Sequence, residues 1–178
     1  MKKTILMVSL LLIICLCSCS NKAEKLTVPE GLAAQNANGD VLQLYMNREE
    51  AEKILGESNE RSWNGCYDYG NIMVGYSSGV LAYVAIKDDS WKLMNGVKVN
   101  DPIDSVSEYN NIGEMTKILH YLKDDDGFTQ IAKETIPQEV QKNDFGKYCA
   151  SEILNIGEEV GVISFYDKYI ALTGDMED

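Results

Sequence analysis

The chain has 178 residues, with 28 acidic against 16 basic side chains, a formal net charge of −12 at pH 7 and 45% hydrophobic residues. A body this acidic repels phosphate backbones and anionic headgroups, which excludes nucleic acid as its partner. Its length and apolar content suit one globular domain with a core of its own.

Met1-Lys2-Lys3 precedes an apolar run from Ile5 to Leu16 broken only by Ser9, the basic start and apolar centre of a signal peptide over residues 1–18. Twelve helical residues reach about 18 Å, well short of the roughly 30 Å hydrocarbon core that a permanent span must cross. The run reads as a leader rather than an anchor.

The cluster Leu16-Cys17-Ser18-Cys19 resembles the bacterial lipobox, with leucine three positions before the cysteine and a small residue just before it. The resemblance implies a diacylglyceride on Cys19, cleavage between Ser18 and Cys19, and palmitate-type chains holding a lipoprotein to the outer face of a membrane. Stable attachment takes two chains, each buried CH₂ contributing about 0.8 kcal/mol. Loss of Lys2 and Lys3 with the leader leaves 14 basic against 28 acidic residues.

Cys15 and Cys17 also leave, so Cys66 and Cys149 remain in an extracytoplasmic compartment. An even pair there invites a disulfide, and two buried free thiols are the alternative. His120 is the single histidine and adds no ligand spacing, so neither a metal nor a cofactor is expected.

Residues 19–40 are polar and carry Pro29, Gly31 and Gly39, reading as the lipidated cysteine and a flexible tether. Residues 41–178 form the domain. Its first element is a helix over Asn47–Leu55, capped by Asn47 and stopped by Gly56. From Cys66 the period changes to that of strands, with an antiparallel hairpin of Ile72–Tyr76 and Val80–Ile86 around a Ser-Gly turn.

A second helix is expected from Asn100-Asp101-Pro102-Ile103 to Tyr109, where Pro102 takes the first helical position. Met115, Ile118, Leu119 and Leu122, then Phe128, Ile131 and Thr135, fall at helical spacing and predict one or two further helices. Tyr148–Leu154 reads as a strand, and Gly161–Tyr166 with Tyr169–Thr173 as a closing hairpin about Asp167-Lys168. Helix then hairpin, twice, predicts an α+β fold of two tandem units, residues 41–95 and 96–175, forming one helix-on-sheet domain.

The phrase Trp91-Lys92-Leu93-Met94-Asn95-Gly96-Val97-Lys98-Val99-Asn100-Asp101, leading into a helix that ends at Tyr109, resembles the joint between units of β-lactamase-inhibitory-protein-like domains. Those are close in architecture to the small lipoprotein of the outer-membrane barrel assembly machine. The similarity spans roughly residues 42–172. Asn100 stands where such units carry glycine, and Asn110-Asn111 replaces the glycine after the tyrosine; asparagine tolerates the left-handed backbone that glycine supplies. The resemblance implies a non-catalytic module that binds another protein across its sheet.

Catalytic groups are sparse. His120 lies between Leu119 and Tyr121 in an apolar pattern and reads as a partly exposed helix residue. A hydrolase would require it beside a carboxylate and a hydroxyl in a pocket. Asp124-Asp125-Asp126-Gly127 lacks the alternation and closing glutamate of a calcium loop and reads as a solvated turn. Trp63, Tyr67, Tyr69, Tyr76, Tyr83 and Trp91 gather around the first hairpin; outward-facing, they would be interface anchors, and inward-facing they would be core. The expected function is therefore that of a non-enzymatic, lipid-anchored extracytoplasmic scaffold or binding module for an envelope or secreted protein. An inhibitor or immunity factor for such an enzyme is the alternative.

Overall fold

The computed structural model describes residues 28–176, apart from 59, 60, 63 and 138. The lipidation and cleavage residues Cys19 and Ser18, and the aromatic Trp63, lie outside the described residues.

Among the described residues, two antiparallel sheets, two short α-helices and several 3-10 turns make up the fold. The small sheet holds β1 (Ala33–Asn36), β2 (Val41–Gln43) and β6 (Trp91–Leu93) in the order β2-β1-β6. The large sheet has eight strands: β3 (Tyr67–Asp68), β4 (Ile72–Ser77), β5 (Val80–Ile86), β7 (Asn110–Asn111), β8 (Thr116–Asp124), β9 (Gly127–Ile131), β10 (Tyr148–Ile156) and β11 (Glu159–Asp167). Their order is β3-β4-β5-β11-β10-β8-β7, with β9 also paired to β8. Helix α1 is Arg48–Leu55 and helix α2 is Lys168–Thr173.

Helix α1 and the first hairpin follow local rules. The Asn47 side chain accepts from the Glu49 N–H, and the Gly56 N–H closes the last turn on the Glu52 carbonyl. Between β4 and β5, Ser78 and Gly79 both have positive φ, +53° and +73°, the turn whose twist matches the flanking strands.

The two tandem units are not present. The last strand, β11, sits between β5 and β10 and pairs with both, so one sheet runs through both intended halves. The second helix is a single 3-10 turn, Ile103–Val106. Residues 116–124 and 127–131 are strands rather than helices. In β8, Ile118, Leu119, His120 and Tyr121 are all buried, because both faces of the sheet are covered there. Apolar side chains on both faces erase the two-residue alternation that marks a strand.

The closing hairpin is a strand followed by α2. The Asp167 side chain accepts from the Tyr169 N–H and caps the helix, and Gly174, at φ +67°, ends it. The stretch read as tether also differs. Leu32, Ala33 and Ala34 are fully buried, and β1 pairs on both sides as the central strand of the small sheet. Asn100 adopts φ +71°, the left-handed backbone that asparagine tolerates.

The principal core fills the space between the small sheet with α1 and one face of the large sheet, around Leu32, Leu42, Tyr76, Leu93 and Phe165. The opposite face of the large sheet is covered by α2 and residues 132–146, through Val140, Tyr148, Tyr169 and Ile170. Among the described residues no helix is long and apolar enough to cross a membrane.

Candidate functional site

One row of residues crosses the α2 side of the large sheet: Tyr83, Tyr166, Ala150, His120 and Ile131, on β5, β11, β10, β8 and β9 in turn. Tyr83 stacks on Tyr166 with ring centroids 6.1 Å apart, filling one end of the row. Next to it Ala150 has almost no side chain, and His120 lies beyond. The imidazole is only 3% exposed, yet neither Nδ1 nor Nε2 has a hydrogen-bond partner. Leaving a buried polar group unpaired costs about 1–3 kcal/mol.

The ring lines a hollow of about 520 Å³ that opens to solvent, a size in the range of small-ligand sites. Three pieces of chain complete it. The 3-10 turn Lys133–Thr135 supplies Lys133 and Glu134; the segment behind it supplies Ile136, Pro137 and Val140; α2 supplies Lys168 and Leu172. Lys168 follows the cap residue Asp167, so the capping bond fixes where its side chain begins. Its ammonium lies 5.4 Å from the centre of the Tyr166 ring.

The electrostatics follow from this placement. Burial pushes the His120 imidazole down to about 4, with Lys168 and then Lys133 adding to the effect and Glu134 opposing it. Lys168 is itself held below the usual lysine range by burial; the Glu152 charge opposes this more strongly than Lys133 adds to it. At neutral pH the hollow therefore presents a neutral imidazole, with one donor and one acceptor, in a field where two ammonium groups outweigh the nearest carboxylate. Among the described residues neither Lys133 nor Lys168 is in an ion pair.

The other residues singled out in the sequence are dispersed. Tyr76 is fully buried and Trp91 is 4% exposed, so both belong to the core. Tyr67 and Tyr69 are half-buried; Tyr67 packs on Tyr76 with centroids 5.7 Å apart and accepts a hydrogen bond from Arg48. Tyr83 is on the opposite side of the sheet, against Tyr166. These rings form no single exposed patch.

Cys66 and Cys149 are free, buried thiols, not a disulfide. Cys66 lies just before β3 and Cys149 on β10, four strands away in the sheet order, where neighbouring strands are about 4.8 Å apart and a disulfide needs Cα atoms within roughly 7 Å. Burial raises the Cys66 thiol to about 11 and pushes Cys149 up as well. The acidic turn Asp124–Gly127 forms the exposed tip of the β8–β9 hairpin.

His120 was singled out in the sequence, but as a partly exposed helix residue rather than the buried strand residue it is. Lys133, Lys168 and Leu172 carry no local signature, since the fold brings them from two separate segments onto His120 of β8. The lining holds a carboxylate, Glu134, but among its described residues no hydroxyl or thiol, and the imidazole is not hydrogen-bonded to the carboxylate.

No family model and no curated protein matches the chain. Among solved structures it is similar to a crystal structure of an extracellular protein containing a SCP domain from Bacillus anthracis str. Ames, at 9% identity and a TM-score of 0.42, over 72% of this chain. The chain spans 45% of the length of that protein. A likeness of this size assigns the chain to no family.

Proposed function

We propose that this chain is a lipoprotein, cleaved between Ser18 and Cys19 and anchored through acyl chains on Cys19, whose body binds another envelope or secreted protein outside the cytoplasm without catalysing a reaction. The binding element is the hollow beneath α2. The observation that carries this reading is His120, a buried side chain with two unpaired polar atoms at the wall of an open hollow. A bound group that paired them would recover free energy that the free protein forgoes. The absence of a hydrogen-bonded base and nucleophile in the described lining favours binding over turnover.

Leu172, 64% exposed at the rim, is the place to test it. A photo-cross-linking residue at position 172, in cells, should give one discrete protein adduct that disappears when His120→Phe is added. Adducts unchanged by that substitution would refute the hollow as the binding element. Metabolic labelling with palmitate, lost in Cys19→Ala, tests the anchor separately.

A further inference from the structure

Resting on the reading of the hollow as a binding element, we infer that its ligand is a carboxylate borne on an apolar group, such as the C-terminal end of a polypeptide with an apolar last residue or a short fatty acid. Two halves of the lining support this. Lys133, Lys168 and the single N–H of the neutral His120 imidazole supply donors for an anion, and Ile136, Pro137, Val140 and Leu172 supply an apolar wall beside them. The surroundings explain why an anion is favoured in so acidic a chain. Glu152 accepts from the Tyr166 hydroxyl; its charge acts on Lys168, but it does not line the hollow. Glu134 is then the one acidic residue of the described lining, and it is exposed.

A carboxylate seated between the two lysines would relieve their mutual repulsion, and an imidazole N–H could donate to it without first taking up a proton. A bare inorganic anion would leave the apolar wall in water. A neutral or cationic amphiphile would leave the lysines unpaired.

The sequence contains one histidine, so the imidazole resonances of His120 report on the site without assignment by mutation. Purified full-chain protein is titrated with acetyl-Gly-Leu, its C-terminal amide, octanoate, octylamine and inorganic phosphate. At least one of the two carboxylates should shift the His120 signals saturably, with the amide, the amine and phosphate about tenfold weaker or worse. Lys168→Gln should weaken binding about tenfold, and the exposed Lys133→Gln, which carries little risk to folding, by a smaller factor. Response to acetyl-Gly-Leu alone identifies a polypeptide end, and response to octanoate alone a fatty acid. Equal response to the amide or to octylamine overturns the carboxylate assignment while leaving the hollow as a binding element. Silence of His120 toward both carboxylates, with the Leu172 adduct still formed, overturns the assignment alone; silence with no adduct overturns both readings.

Discussion

Asp167 and His120 are two buried ionisable side chains on the same sheet, and the protein treats them in opposite ways. Asp167, fully buried, accepts from the Tyr45 hydroxyl at 2.7 Å, from the Gly146 N–H at 2.8 Å and from the Tyr169 N–H at 2.8 Å. One carboxylate thereby ties the chain before α1, the loop before β10 and the start of α2 into one point. His120, 3% exposed, has no partner on either nitrogen. A buried polar group whose bonds are all made serves the fold; one whose bonds are unmade costs stability and earns its place only through something it meets later. The difference marks Asp167 as a structural staple, and it is what supports the proposal that His120 meets a bound group.

Breaking the first half of that contrast has the largest effect. Asp167→Ala should cost about 3 kcal/mol, because it strands buried donors and removes a helix cap. A urea midpoint shift, with loss of α2 protection in hydrogen exchange, measures it. A cost under about 1 kcal/mol would mean that the three bonds are not formed together.

Acid sharpens the contrast. The unfolded histidine takes up a proton below its ordinary value of 6.5, whereas the folded one resists until about 4, so stability is full above 6.5 and is lost as pH falls through that window. The loss should be on the order of 1–2 kcal/mol after allowance for solvent at the mouth of the hollow. Asp167 works in the other direction: burial holds its carboxyl above the usual range despite its three bonds, so its contribution grows as pH falls. Denaturation at pH 7 and pH 4.5, compared between the wild type and His120→Phe, isolates the imidazole. An equal pH response in both proteins refutes the histidine's role.

The smallest effect concerns His120→Phe itself at pH 7. An apolar ring of similar shape removes two unpaired polar atoms, so stability should be unchanged or rise by up to about 1 kcal/mol while the cross-link at position 172 is lost. A marked loss of stability in a thermal melt would show that the imidazole is already satisfied in the free protein.

How much of this was legible depended on whether a residue's neighbours are close in sequence. Helix α1 could be read because Asn47 and Gly56 carry the whole signal within one segment, and the β4–β5 hairpin because Ser78-Gly79 dictates the turn. Strand β8 could not, since the cover over its second face comes from residues 132–146 and from α2. Helix α2 was hidden by the β-propensity of Tyr169 and Ile170, which one capping bond from Asp167 overrides. Strand β1 was hidden because two alanines give no strong pattern, although both are fully buried. The hollow was the least legible feature. Of its charged and polar residues only His120 stands out as a candidate functional group in the sequence, and its burial follows only once β10 places Ala150 beside it.

The early start of the folded body sets how far it can stray. Val28 is already packed against the core, so with the proposed anchor at Cys19 about nine residues would lie between membrane and domain, a span of at most roughly 30 Å. The twenty-odd residues read as tether would have reached about twice as far. With the proposed anchor, the domain would stay close to the bilayer, and the partners within its reach would be membrane-attached molecules or those that pass close to the lipid surface.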